Sequence, residues 1–326
     1  MTSPALPSNG RLVSIGTHSI AFYTYGPDPG NSKDPVVLFI SGVCSDALNW
    51  QAVVRLLPPS MRSYTYDRSG YRNSDCSPLV PTAENAAVEL SLLVEKSPIP
   101  NPLIFVGHSW AGILIHEFMA LKGTGQIAGL VLVDANHETM PQSIDINDPI
   151  LWAVAAGVNS YSARGIEAEH KLTEDEWDAF RAAERTEKFL LAAEKEQREY
   201  KNSFETLRKK GLSERQPLLG DSPVYIIGST RSRDWSGLYK AGVEKGNGTE
   251  AERSYVREFI RTVDGKSEVL QKEFLKLSTT SKLVFATKSG HFIQLTQPSL
   301  VVDGRQIPGI TVLCMNIQGL PVKEHP

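Results

Sequence analysis

The chain predicts an α/β fold built on a mostly parallel, doubly wound sheet with helices on both faces. Three observations carry that expectation. Short continuous apolar runs, too short for helices, alternate with helix-patterned segments from Pro35 to Asp134. The alternation then stops for about eighty residues and resumes at Pro223, as expected for one core carrying an insertion. Finally, Leu103-Ile104-Phe105-Val106 runs through Gly107-His108-Ser109-Trp110-Ala111-Gly112 into the helix-patterned stretch Ile113 to Ala120, so a buried strand feeds a helix through a tight turn with a serine at its apex.

In chain order, Arg11–Ile15 and Ser19–Tyr25 read as strands of a hairpin, and the turn-rich Gly26-Pro27-Asp28-Pro29-Gly30-Asn31 stops the second. Pro35–Ile40 is a continuous apolar strand. A helix ending near Pro58-Pro59 leads to a further strand over Arg62–Asp67. Thr82 is placed to cap an alanine-rich helix reaching Glu95, with Glu84 and Asn85 in its first turn. Ile127–Val133 forms the next strand and ends in Asp134. The segment that follows is helical; its charged run from Thr173 to Lys210 sets Trp177, Phe180, Phe189, Leu190, Tyr200, Phe204 and Leu207 on one apolar face. Strands return at Pro223–Gly228 and Lys282–Ala286, with a helix from about Thr249 to Leu277 between them. These elements divide the chain into a core of residues 11–136 and 217–303, an inserted unit over 137–216 and a C-terminal tail over 304–326.

Composition narrows the function classes. Hydrophobic residues make up 41% of the 326, the usual share for a globular protein, and 34 basic against 37 acidic side chains leave a net charge of -3. Such a balance generates no field to recruit nucleic acid or an anionic membrane, so a small molecule is the expected partner. Nothing in the chain specifies an oligomeric state. Cys44, Cys76 and Cys314 cannot all pair, which fits a reducing compartment. The start of the chain lacks the basic and apolar pattern of a secretory signal, and no apolar run approaches the ~20 residues of a transmembrane helix. A cytoplasmic location is expected.

The serine at the turn is the residue best placed for chemistry. Small residues at Gly107 and Ala111 let the chain bend there, which exposes the Ser109 hydroxyl and aims a helix N-terminal N–H at a developing oxyanion. A serine hydroxyl needs a base, because it is almost fully protonated at neutral pH. His291, in Ser289-Gly290-His291-Phe292 just past the last strand, is the candidate. His108 is expected to point away from Ser109 as a packing residue; His18, His116, His137, His170 and His325 lack a comparable context, and no metal-ligand spacing or cofactor motif is present. The oxyanion donors are expected from the N–H groups of Trp110 and Val43, the latter in the loop Ser41-Gly42-Val43 after the first buried strand. Cys44 lies nearby but has no base placed for it. Asp67 and Arg68 are expected to fix a loop at the same edge through hydrogen bonds.

Taken in order, Phe-Ile-Ser-Gly-Val, Tyr-Asp-Arg-Ser-Gly-Tyr, Gly-His-Ser-Trp-Ala-Gly, Leu-Val-Leu-Val-Asp-Ala and Gly-His-Phe-Ile-Gln resemble an α/β-hydrolase of the AB hydrolase-1 type over residues 11 to 303. The resemblance implies the α/β-hydrolase fold with a helical cap inserted after the sixth strand. It also implies a serine hydrolase that cleaves an ester, lactone or related acyl bond through an acyl-enzyme; metabolic tailoring is one use of such chemistry. Serine rather than aspartate at the elbow argues against the epoxide hydrolases and haloalkane dehalogenases of this fold. Trp110 is similar to the elbow of prolyl aminopeptidases, but their His-Gly-Gly-Pro-Gly loop has no match in Ser41-Gly42-Val43-Cys44-Ser45. A peptidase or carbon–carbon bond hydrolase therefore ranks second, and a non-hydrolytic ligand binder of the same fold is the competing class.

Departures from the pattern matter. Ser41 stands where relatives carry the histidine of a His-Gly pair, and Arg72 where a glycine is common. Many relatives place the acid three or four residues beyond the glycine ending the seventh strand, whereas here Gly228 is followed by Ser229-Thr230-Arg231-Ser232-Arg233 before Asp234. Asp134 occupies the alternative acid position after the sixth strand. Both Asp134 and Asp234 remain candidates, with the larger loss on replacement expected at Asp134. Pro308 and Gly309 oppose a helix continuing into the tail.

Overall fold

The computed structural model describes residues 6–99 and 102–303; the predicted tail, with Cys314 and His325, lies outside the described residues. Eight strands form one sheet: β1 (Gly10–Ser14), β2 (Ser19–Tyr25), β3 (Val36–Ile40), β4 (Ser63–Tyr66), β5 (Leu103–His108), β6 (Ile127–Val133), β7 (Val224–Ser229) and β8 (Ser281–Ala286). Their spatial order is β1-β2-β4-β3-β5-β6-β7-β8. The β1–β2 and β2–β4 pairs are antiparallel and every later pair is parallel. This is the α/β fold that the alternation predicted.

Continuous apolar strands are explained by the two cores they separate. Leu38, Ile40, Leu103 and Phe105 point to one face, where α2 (Ala83–Lys96) and α3 (Ala111–Lys122) pack; Val37, Phe39, Ile104 and Val106 point to the other. Alternate residues thus enter opposite cores, and neither face of the central strands can be polar. Thr82 caps α2 by accepting from the Asn85 N–H at 3.2 Å.

Between β6 and β7 lies the helical cap: α4 (Pro149–Val154), α5 (Ser160–Ala163), α6 (Ile166–Glu169), α7 (Glu174–Glu184) and α8 (Glu187–Arg208). The charged helical run from Thr173 to Lys210 is two helices, because Thr186 accepts from the Phe189 N–H and starts α8 afresh. The helix expected to end near Pro58 is a 3₁₀ turn, Ala47–Trp50, followed by α1 (Gln51–Val54); Pro58 disfavours helical backbone at Leu57, and the chain turns before it.

The largest correction concerns the segment after β7. The sequence marks no helix there before about Thr249, yet the segment is α9 (Arg231–Glu244), which leads into α10 (Glu250–Glu273); α11 (Ile293–Thr296) and α12 (Pro298–Val302) close the described chain. Gly237 and Gly242 weaken the helical signal in the sequence. Their role is tertiary: a Cβ on either would stand 1.9 Å from the carbonyl oxygen of Ala163 or Val154. Glycine lets α9 lie directly on the cap backbone, and Asp234 consequently sits in the first helical turn.

Candidate active site

The strands β5, β6 and β7 end side by side, so Ser109 after β5, Asp134 after β6 and the start of α9 after β7 share one edge of the sheet. Ser109 follows β5 with φ 56°, a left-handed conformation that costs a non-glycine residue roughly 1–2 kcal/mol. Its N–H extends the sheet by donating to the Val133 carbonyl at 3.1 Å, and its carbonyl accepts from Gly112 and Asn136. Asp134 repeats the device one strand along: it follows β6 with φ 41°, and its N–H donates to the Ile227 carbonyl at 2.7 Å. The sharp turns are held by ladder hydrogen bonds, so both side chains leave the sheet at fixed positions.

His291 lies in the loop between β8 and α11. Its Nδ1 donates to Asp134 Oδ2 at 2.5 Å, while its backbone N–H donates to Asp234 Oδ2 at 2.9 Å. The two carboxylates therefore hold different parts of one residue. Asp234 can reach the loop because residue 290 is glycine, where a Cβ would lie 1.7 Å from Asp234 Oδ1. With Nδ1 engaged by a carboxylate, Nε2 is the ring nitrogen left to act as a base.

The expected oxyanion donors also have an observable setting. Among the described backbone hydrogen bonds, the N–H groups of Val43 and Trp110 have no carbonyl acceptor. Arg68 holds the loop that carries Val43: its guanidinium donates to the carbonyls of Ser41 and Gly42, each at 2.6 Å. Cys44 is turned toward the cap, and burial, then the neighbouring Glu196 carboxylate, pushes its thiol up to about 12. Arg72 adopts φ 36°, in the left-handed backbone region that glycine enters most readily.

The match to the model of the alpha/beta hydrolase family spans residues 37–303. The chain belongs to the α/β hydrolase family. It is 30% identical over 289 residues to an AB hydrolase superfamily protein of Gibberella zeae, covering 85% of this chain and 86% of that one. It is also 31% identical over 304 residues to "Probable transporter efuK" of Hormonema carpetanum, covering 91% of this chain but only 42% of that longer protein. Among solved structures, Cfl2 from Burkholderia cenocepacia aligns with a TM-score of 0.61 at 16% identity, over 91% of this chain and 94% of that one. A thermophilic esterase from Thermogutta terrifontis aligns at 0.53 and 17%, over 90% and 95%. At these identities the structural likeness speaks for the fold alone.

Within this α/β hydrolase, two residues near the site, Arg231 and Glu196, carry no role in the sequence reading. Arg231 stands three residues beyond Gly228, where many relatives carry the acid, and its guanidinium lies 3.1 Å from Asp134 Oδ2. Burial opposes ionisation of Asp134, but Arg231 and the hydrogen bond from His291 outweigh it and hold the carboxyl well below the usual carboxylate range. Asp234 is the reverse case: burial dominates, and its carboxyl is raised despite Arg164 and the His291 N–H.

His108 corrects another expectation. Rather than only packing, its Nε2 donates to the His291 carbonyl at 2.9 Å, and its ring stacks obliquely on the His291 ring with centroids 4.5 Å apart. Burial first, then the adjacent His291 ring, lowers its pKa to about 3, so it is a neutral brace. Glu196 of α8 is the second residue that the sequence left without a role. A carboxylate among Phe189, Tyr200, Ser203, Phe204 and Leu207 on the buried face was its signal in the sequence.

Proposed function

We propose that this hydrolase cleaves an ester, lactone or related acyl bond of a small organic molecule, with Ser109 as nucleophile, His291 as base and Asp134 as the orienting acid. The observation that carries the reading is the 2.5 Å hydrogen bond from His291 Nδ1 to a buried Asp134, beside a serine at a left-handed strand-to-helix turn. Ser109 Oγ attacks the carbonyl carbon and His291 Nε2 takes its proton. The Val43 and Trp110 amides stabilise the oxyanion. His291 then gives the proton to the leaving alcohol oxygen, leaving an acyl ester on Ser109. Water attacks that ester by the same route, and the released acid restores the serine. Asp234 fixes the backbone of His291 and takes no proton.

The segment 137–216 acts in this reading as a cap unit over the core of 11–136 and 217–303, and selects substrates by shape. Support comes from α8, where Tyr200 accepts from Asn136 Nδ2 at 2.7 Å and Ser203 accepts from Trp110 Nε1 at 3.0 Å, directly above the elbow. Among the described residues no helix is long and apolar enough to cross a membrane, and Cys44 and Cys76 are free thiols. A reducing cytoplasmic setting fits the thiols.

The test is labelling with a fluorophosphonate, with the modified peptide mapped by mass spectrometry. Labelling of wild type at Ser109 and of no other residue, abolished in a folded Ser109→Ala variant, is the expected outcome. Undiminished labelling of Ser109→Ala would remove the assignment. A panel of esters and lactones followed by mass spectrometry then defines the acyl group.

A further inference from the structure

We infer that Arg68 and Glu196 are positioning residues through which the cap sets the oxyanion hole, an inference that rests on the Ser109 reading above. Arg68 follows β4 and Glu196 lies in the middle of α8, and the two side chains are 6% and 4% exposed. Their contact is two-pronged, with Nε to Oε1 at 2.7 Å and Nη2 to Oε2 at 3.0 Å. A buried pair of this kind gains little net stability over an apolar contact of equal volume, so its other bonds explain more of its role.

Those other bonds converge on one short stretch. Arg68 grips the carbonyls of Ser41 and Gly42 and reaches that of Ser45 at 3.3 Å, while Glu196 Oε2 accepts from the Cys44 N–H at 2.9 Å. In a trans peptide the C=O and N–H point in opposite directions. Holding the Gly42 carbonyl toward Arg68 therefore aims the Val43 N–H away from it. The next peptide is oriented from its other end, by the Cys44 N–H.

Both peptide planes flanking Val43 are thus set by the pair. This stretch runs against the nucleophile: a Cβ on Gly42 would be 3.0 Å from Ser109 Cβ. Cys44 is held at φ 52°, a strained value for a side-chain-bearing residue, which its bond to Glu196 helps to sustain. Tyr71 completes the clamp, its hydroxyl donating to Glu196 Oε2 at 2.8 Å. Since Glu196 belongs to the cap and Arg68 to the core, seating of α8 and orientation of the Val43 amide are one event.

The test compares fluorophosphonate inactivation of wild type, Glu196→Gln, Arg68→Lys and the double variant, each resolved into a binding constant and a maximal rate, with thermal midpoints alongside. Glutamine keeps the shape and one acceptor but removes the charge that clamps the guanidinium. We expect its maximal rate to fall about 10- to 100-fold with the binding constant unchanged, since removing one oxyanion donor outright costs about 10²–10³. Arg68→Lys, unable to fork, should fall at least as far, and the double variant no further than the slower single variant.

A wild-type rate in folded Glu196→Gln would overturn the inference. So would a loss confined to the binding constant, which would make the pair a pocket wall only. Tyr71→Phe removes one hydrogen bond and no charge, and serves if Glu196→Gln does not fold: about a threefold slower rate is expected, and an unchanged one counts against the clamp. Wild type that fails to react at all would remove the Ser109 reading and this inference with it, whereas reactive wild type beside indifferent variants removes only the inference.

Discussion

Asp134 directly follows β6 and Asp234 sits in the first turn of α9 beyond β7; both are buried and both hold His291, yet their environments differ in the feature that matters for chemistry. Asp134 meets the imidazole and the Arg231 guanidinium, so it is kept ionised; Asp234 meets a backbone N–H, and burial pushes it toward the neutral acid. A charge beside the ring can stabilise an imidazolium. A hydrogen bond to the loop can only position it.

The sharpest way to break this contrast is to neutralise each acid in turn. Asp134→Asn should lower turnover, or probe inactivation, by about 10³–10⁴ with little change in substrate binding, the scale seen when a triad aspartate is replaced. A near-normal rate in that variant would remove Asp134 from the mechanism. The next largest effect is expected from Arg231→Met, which leaves Asp134 buried without its cationic partner. Its unfolding free energy in urea should drop by about 3 kcal/mol. An unchanged denaturation midpoint would mean that the guanidinium contributes nothing to holding the carboxylate.

Asp234→Asn retains an acceptor for the His291 N–H and should cost less than about 10-fold in rate. A severe defect there, with Asp134→Asn active, would exchange the two roles. The smallest effect is one of sign. Asp134 is depressed when folded, so its stabilisation is present above the unfolded pKa of about 4 and is lost as pH falls through the folded value. Asp234 is raised, so ionising it costs stability as pH climbs from about 4 through the folded value. The thermal midpoint of Asp234→Asn relative to wild type should therefore improve with rising pH over the carboxylate range. That of Asp134→Asn should worsen up to about pH 4 and then stay level. Parallel curves for the two variants would erase the distinction.

Much of the candidate site's local geometry was legible because it depends on neighbouring residues in the chain. Gly107 to Gly112 between an apolar strand and a helix marks the elbow, and Gly290-His291 after the last strand marks the second candidate residue. Arg68 was read as a loop-fixing residue, and it does hold the Ser41–Ser45 loop. The partners contributed by distant segments were not legible: Glu196 is separated from Arg68 by 128 positions, and His108 reaches His291 across 183. Neither separation leaves a periodic trace.

By itself the sequence determined the strand and helix alternation, the position of the insertion and the serine at the turn, since these follow from apolar periodicity and small residues acting over a few positions. Only the tertiary structure decided which aspartate touches the imidazole and which the backbone, that Gly237 and Gly242 belong to a helix, and that a carboxylate of the cap grips the guanidinium of the core. The physical reason is range. Hydrophobic pattern and turn chemistry are properties of adjacent residues, whereas a buried charge gains its meaning from whatever packing sets within about 3 Å of it.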